Sequence, residues 1–323
     1  MKAAVLGESG VEIRDVARPV PGPSQVLVKV RAAGLNRADL IMASGQRHGS
    51  AGGPGSVLGL EFAGEVEAVG SDVTSVRPGE RVMCSGNGGY AEYAVADWGR
   101  VSPIPANNMG YEAAATLPVA LQTMHDAVVT NGRLKAGETV LIQGASSGVG
   151  LMGLQIAKLR GAKPVMGSST NDARRAQLNE FGADLTVDTR DPAWPQQVLD
   201  ATGGKGVNLV VDMLSGPVVA QTMKATALLG RIVNVGRLAG TKAEFDFDLH
   251  ALRRIDYIGV TFRTRTLEEV REISRRMHAD LWDAVTAGKL TLPIDRRFPL
   301  DEAPAAHAHM RENKHFGKIV LTM

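Results

Sequence analysis

The stretch Thr139-Val-Leu-Ile-Gln-Gly-Ala-Ser-Ser-Gly-Val-Gly150 sets how the rest of the chain is read. An apolar run feeds a turn of small residues, and the turn opens onto helix-forming residues. That order aims backbone N–H groups and the positive end of a helix at a pyrophosphate. Gly144, Gly148 and Gly150 allow close approach of the backbone, and Gly150 and Gly153 allow the helix to pack tightly on the sheet. Ser147 stands where the usual G-x-G-x-x-G has its middle glycine, and its hydroxyl could donate a further hydrogen bond to phosphate. A tight βα turn without a ligand is the competing reading. A lone glycine pattern is weak evidence, but here strand, turn, helix and a following strand agree.

The following strand bears on which nucleotide is bound. Dinucleotide sites that prefer the form without a 2′-phosphate usually carry an acidic residue about 20 residues on. Here the region reads Val165-Met-Gly-Ser-Ser-Thr-Asn171, with no carboxylate. Hydroxyl donors together with Arg174 or Arg175 could hold a 2′-phosphate through charge-assisted bonds. Both arginines on a solvated face is the alternative. Asp172 is read as a helix cap. NADPH is the expected cofactor.

Outward from this turn, the texture is of strands and helices in alternation. Strands are expected at Thr139–Gln143, Lys163–Gly167, Val207–Asp212 and Arg231–Val235, with helices to about Arg160 and from Asp172 to Phe181. Short apolar runs spaced this way predict a doubly wound parallel sheet. The first hundred residues differ. Val26, Val28 and Val30 alternate with Leu27, Lys29 and Arg31, and Gly and Pro punctuate short strands, which predicts a compact β domain. From Glu112 to Leu121 the chain is helix-prone, with Pro118 interrupting. After a Glu- and Arg-rich helix from Leu267 to about Ala287, the chain ends on a strand-like Lys318-Ile-Val-Leu321 able to return to the first domain.

Length and composition bound the function. The chain has 323 residues, 44% hydrophobic and 22% charged, with a net charge of +2. No Lys/Arg block stands out, so neither nucleic acid nor a membrane surface is expected as a partner. The apolar run at the N-terminus is too short for a signal peptide, and a cytoplasmic protein is expected. The single cysteine, Cys84, excludes an intrachain disulfide and any multi-cysteine metal site; it is read as a buried structural thiol.

The chain resembles the zinc-independent quinone oxidoreductase (zeta-crystallin-like) branch of the medium-chain dehydrogenase/reductases along its whole length. The likeness is carried by Gly34-Leu-Asn-Arg-Ala-Asp39, Leu58-Gly-Leu-Glu-Phe-Ala-Gly64, Gly88-Gly-Tyr-Ala-Glu-Tyr93, the phosphate turn, Gly230-Arg-Ile-Val-Asn-Val-Gly236, Ile258-Gly-Val-Thr-Phe-Arg-Thr-Arg265 and Phe316-Gly-Lys-Ile-Val-Leu321. The resemblance implies a Rossmann doubly wound parallel sheet inserted in a GroES-like β catalytic domain. The expected division is a catalytic part over 1–121, a Rossmann part over 122–258 and a return to the catalytic domain over 259–323. It also implies an active site between the domains and a homodimer.

The resemblance carries site residues with it. Phosphates should meet Ser146, Ser147, Gly148, Val149 and Gly150, and the 2′-phosphate Ser169 and Arg174. Thr189 stands where many relatives have a cofactor-stacking tyrosine. Thr123 is expected beside the nicotinamide, and Val235, Gly236, Phe262 and Thr264 along its carboxamide edge. Lys318 is expected either to reach a phosphate or to face solvent, and Thr123 and Val235 have core packing as their alternative. Zinc-dependent relatives place a Cys at Asn36, a His at Leu60 and a Cys or acid near Val119, so no metal is expected. Asn36 is then the candidate polar group facing substrate, unless it only forms a turn. In the loop Gln46-Arg-His-Gly-Ser-Ala-Gly-Gly-Pro54, Arg47 and His48 could stabilise an oxyanion or supply a proton, unless the loop is simply exposed. His307 and His309 are read as surface residues.

These readings predict NADPH-dependent hydride transfer to a quinone. The alternatives are reduction of a 2-alkenal, enone or enoyl thioester, and a protein that binds NADPH with little turnover.

Overall fold

The computed structural model describes residues 1–8, 10–49 and 51–323, and these form two compact units. One comprises Met1–Val119 with Phe262–Met323, the other Ala120–Thr261. The sequence boundaries at 121/122 and 258/259 thus lie two to three residues from these. The later one moves because the final strand of the second unit, ending at Gly259, is hydrogen-bonded to its neighbour and carries the chain to Thr261 with it.

In the first unit, β1 (Lys2–Gly7) and β2 (Gly10–Asp15) form an antiparallel hairpin. The main sheet contains β3 (Gln25–Gly34), β4 (Glu61–Val69), β5 (Arg81–Ser85), β6 (Tyr93–Asp97) and β7 (Val101–Pro103). The expected alternation in β3 is observed, with Val26, Val28 and Val30 packed in the core. Helix α1 (Arg37–Ala43) leaves the end of β3. Pro118 splits the expected helix into α2 (Tyr111–Ala114) and α3 (Pro118–His125), as its missing N–H and fixed φ require.

In the second unit the six strands are β8 (Val140–Gln143), β9 (Val165–Ser168), β10 (Leu185–Val187), β11 (Val207–Asp212), β12 (Thr226–Asn234) and β13 (Asp256–Gly259). They are parallel and lie in the order β10-β9-β8-β11-β12-β13. This is the doubly wound arrangement, with the order reversing between β8 and β11. Every residue of β8 and β9 is buried, which explains their unalternating apolar sequences. Helices α4 (Gly148–Leu159), α5 (Asp172–Ala176), α6 (Trp194–Ala201), α7 (Val219–Ala225) and α8 (Phe247–Arg253) connect the strands. Between Asp172 and Phe181, read as one helix, α5 gives way to a 3-10 turn at Leu178–Phe181.

The chain then returns to the first unit through α9 (Leu267–Thr286), β14 (Ile294–Pro299), α10 (Ala303–Arg311) and β15 (Lys318–Thr322). As expected, the terminal strand joins the N-terminal sheet, pairing antiparallel with β3 through Val320 and Gly34. Among the described residues no helix is long and apolar enough to cross a membrane. Cys84 is fully buried on β5, and burial pushes its thiol well above the ordinary range, so it is the inert structural cysteine expected.

Candidate nucleotide and acceptor sites

At the carboxyl end of β8 the phosphate turn is built largely by its own side chains. Gly144 adopts φ +72°, a conformation costly for any residue with a Cβ. The Ser168 hydroxyl accepts the Gly144 N–H at 3.0 Å and donates to Gln143 Oε1 at 3.0 Å, tying the turn to β9. Ser147 is the N-cap of α4: its Oγ accepts from the Gly150 N–H and donates to the Gly144 carbonyl, both at 3.1 Å. The Ser147 hydroxyl, expected at a phosphate, here finds acceptors inside the protein, the Gly144 carbonyl and, at 3.7 Å, Met213 Sδ. A Cβ at Gly150 would lie 2.7 Å from Ala145 Cα, and one at Gly153 2.9 Å from Met124 Sδ. Both glycines are required for close packing. The first-turn amides of Gly148 and Val149 have no intrahelical acceptor, as at the start of any α-helix.

At the end of β9, Ser169 Oγ donates to Ser146 Oγ at 3.0 Å, so two of the residues singled out in the sequence touch directly. Arg174 and Arg175 are not equivalent. Arg175 donates to the Ser169 carbonyl at 2.9 Å, to Asp172 at 2.8 Å and to Asp188 at 3.2 Å. Its guanidinium is half-buried and engaged by all three. The cap of α5 is Asn171, whose side chain accepts the Arg174 N–H at 2.9 Å, and not Asp172, which pairs with Arg175. Arg190, then Arg175, hold the Asp188 carboxyl down to about 2. Thr189 follows it in a half-buried turn.

Further along the same sheet edge, the Val235 and Gly236 amides both donate to the Asp212 carbonyl, at 2.8 and 3.1 Å. The Gly236 carbonyl accepts from the Ser215 hydroxyl at 2.7 Å. The backbone donors assigned to the carboxamide edge are therefore used within the fold, which leaves this segment a rigid wall. Thr123 is half-buried on α3. Phe262 (half-buried) and Thr264 (exposed) lie in the first unit, in the bend before α9.

The first unit contains a buried polar cluster at the end of β3. Asn36 Nδ2 donates to Glu61 Oε1 at 3.0 Å, and the Val119 N–H donates to Glu61 Oε2 at 2.9 Å. Lys318 Nζ donates to Asn36 Oδ1 at 3.0 Å and closes an ion pair with Glu61. Glu61 is fully buried and Lys318 is 4% exposed. Strand order β15-β3-β4 lets Lys318 and Glu61 meet across the end of β3. Gly34 makes the room: a Cβ there would lie 2.7 Å from Glu61 Oε1 and 2.4 Å from the Ala115 carbonyl. Lys318, expected at a phosphate or in solvent, is instead the counter-ion of Glu61. Below it, Asp39 Oδ2 accepts from the Asn36 N–H and the Tyr90 hydroxyl, each at 2.7 Å. Burial pushes the Asp39 carboxyl up to about 7.

Glu61, Asp39 and Tyr90 were not singled out in the sequence. The available signal was a single carboxylate inside the apolar run Leu58-Gly-Leu-Glu-Phe-Ala, which demands a buried partner.

In the loop after α1, Arg47 is exposed and His48 half-buried. His48 exchanges backbone bonds with Ala51, and a Cβ on Gly49 would lie 2.8 Å from the Arg263 carbonyl. Burial, then Arg263, lower the His48 pKa, so it holds a proton less readily than the sequence suggested. Ser50 of this loop lies outside the described residues. The surface assignment of His307 is overturned: it is fully buried, edge-on to the Tyr90 ring at 5.8 Å, with neither ring nitrogen hydrogen-bonded. His309 bonds Asp295 at 2.8 Å. Helix α10 turns one face to the core, a placement that its mixed Ala/His sequence does not announce.

Fold and site together define an oxidoreductase of the medium-chain dehydrogenase/reductase family, to which this chain belongs. Residues 22–106 match the alcohol dehydrogenase GroES-like domain, and residues 148–279 match the zinc-binding dehydrogenase domain. Over 96% of its length the chain is 29% identical to the quinone oxidoreductase of Rattus norvegicus, covering 92% of that protein. It is 32% identical, over 97% of its length, to a segment of a phenolphthiocerol/phthiocerol polyketide synthase of Mycobacterium tuberculosis, spanning 14% of that much longer protein. Among solved structures, a mycobacterial protein complexed with NADPH superposes with a TM-score of 0.89 at 27% identity, with full coverage of both chains.

Proposed function

We propose that this protein transfers hydride from NADPH to a quinone without a metal ion. The observation carrying the proposal is the Lys318–Asn36–Glu61 cluster. Asn36 and Val119, where zinc-dependent relatives hold ligands, converge on Glu61, and the Asn36 amide oxygen accepts from an ammonium group. A divalent cation would meet a fixed positive charge 3.0 Å from its would-be ligand, and Leu60 offers no donor. These residues do not fit zinc.

They do fit the nucleotide. The Gly144–Gly150 turn leads straight into the first turn of α4, Ser146 and Ser169 touch at the end of β9, and Arg174 lies on α5, the helix that follows. When bound, NADPH supplies the hydride. The protein positions it and stabilises negative charge on the acceptor oxygen. That role is assigned to Arg47, which is exposed, because the Lys318 charge is already matched by Glu61. A conjugated acceptor suits a site without a Lewis acid, since its charge is delocalised. The identity to a polyketide synthase segment supports a second reading, reduction of a conjugated double bond beside a carbonyl. We also propose a homodimer: β13 pairs with β12 alone, and Phe247 and Leu252 nearby are 77% and 69% exposed.

The test is NADPH oxidation with an ortho-quinone, a para-quinone and an enone, each repeated with NADH and after chelation. Chelator-insensitive turnover of quinones with NADPH is expected. Turnover of the enone alone selects the second reading, and loss of activity on chelation overturns the metal-free one.

A further inference from the structure

A cavity of about 260 Å³ opens in the second unit beyond the ends of β11 and β12, lined by Ser215, Asn234, Arg237, Lys242 and Tyr257 among others. It lies beside the proposed nicotinamide wall: Ser215, in its lining, bonds the Gly236 carbonyl, and Arg237 follows Gly236 in the chain. Its floor is rigid. Ser215 is held at φ +54°, a conformation unfavourable for a residue with a Cβ. Its N–H donates to Asp212 Oδ1 at 3.0 Å and its hydroxyl to the Gly236 carbonyl, while its Oγ accepts from Asn234 Nδ2. Asn234 also reaches the Tyr257 hydroxyl at 3.4 Å. Ser215 and Asn234 are 6% and 7% exposed, so their polar atoms were desolvated to build this floor.

The charges at the cavity are unbalanced. Arg237 donates only to the uncharged Val235 carbonyl, at 3.3 Å, and neither it nor Lys242 has an ion-pair partner among the described residues. The one acidic side chain in the lining is the exposed Glu244. Asp212 lies beneath, its Oδ1 accepting the Leu214 and Ser215 amides; burial raises its pKa, and those amides and the Arg237 charge act in the opposite direction. Asp246, on the following helix, is occupied capping Leu249. Phe245 and Tyr257, edge to face at 6.0 Å, add an apolar wall.

We propose that this cavity receives a carboxylate carried by the hydride acceptor, bound by the Arg237 fork with Lys242 at the rim, so that the preferred acceptors are acidic conjugated carbonyl compounds. A planar guanidinium whose one hydrogen bond goes to a backbone carbonyl can still match a carboxylate in two parallel bonds. The inference deepens the reading above and rests on it, because the cavity serves an acceptor only if Val235 and Gly236 border the nicotinamide.

The experiment compares 4-carboxybenzylideneacetone with its methyl ester, each titrated calorimetrically into protein saturated with NADP⁺, where no hydride can be transferred. The acid is expected to bind at least ~10-fold more tightly than the ester, a difference of about 1.4 kcal/mol. Arg237→Gln should remove most of that preference and leave the ester unchanged. Lys242→Ala, at an exposed position with little influence on folding, should reduce it by a smaller factor. Equal binding of acid and ester, no binding of the acid, or a preference that survives both substitutions overturns the proposal. Failure of the underlying reading shows separately, as absence of NADPH oxidation with any conjugated carbonyl.

Discussion

Lys318 and Glu61, 257 residues apart in sequence, form an ion pair that is almost wholly buried, and Asn36 bonds to both. The pair ties the first residue of β15 to the first residue of β4 across the end of β3.

Removing one partner strands the other. Lys318→Met should lower stability to urea by about 3–5 kcal/mol, the usual cost of an uncompensated buried charge. Adding Glu61→Gln should recover a large part of it. A single variant as stable as wild type would show that the pair carries no such strain.

Arg174 and Arg175 should separate cleanly. Arg174→Ala is expected to raise the KM for NADPH about 10–100-fold with little change for NADH, corresponding to one or two charge-assisted bonds. Arg175→Ala breaks contacts with Asp172, Asp188 and Ser169, so it should lower thermal stability and affect the two cofactors alike. Equal losses for both cofactors in Arg174→Ala would remove it from the 2′-phosphate site.

Ser147→Ala tests whether that hydroxyl serves the helix cap or a phosphate. Loss of the α4 cap should cost about 1 kcal/mol of stability, with NADPH affinity changed only a few-fold. An affinity loss far exceeding the stability loss would restore the hydroxyl to the phosphate.

Two buried groups beside Tyr90 should give opposed pH dependences. Asp39 titrates at about 7 in the folded protein, raised by burial from an unfolded value near 3.8. Between those values the native state holds the extra proton, so its contribution to stability falls as pH rises from about 4 to 7. His307 is lowered to about 4, by burial and then by Arg311, from 6.5. In that window the unfolded state holds the extra proton, so this contribution rises with pH. Urea midpoints of Asp39→Asn should therefore rise from pH 4 to 6.5 relative to wild type, and those of His307→Phe should fall. Parallel profiles in both variants would refute the assignment.

Local sequence determined the elements and their class. The apolar runs of β8 and β11 and the turn at Gly144–Gly150 declare a parallel sheet with a tight strand-to-helix turn, because strand burial and the positive φ of Gly144 act over a few residues. The alternation in β3 and the break at Pro118 were legible for the same reason. Tertiary structure alone decided which polar groups meet. Nothing local distinguishes Arg174 from Arg175, or brings the Ser147 hydroxyl to the Gly144 carbonyl. Lys318 reads as a phosphate ligand or a solvent-facing residue until β15 is laid beside β3 and Gly34 opens the way to Glu61. Buried charges choose partners through space, and the distance between those partners along the chain leaves no trace in the pattern of residues around either one.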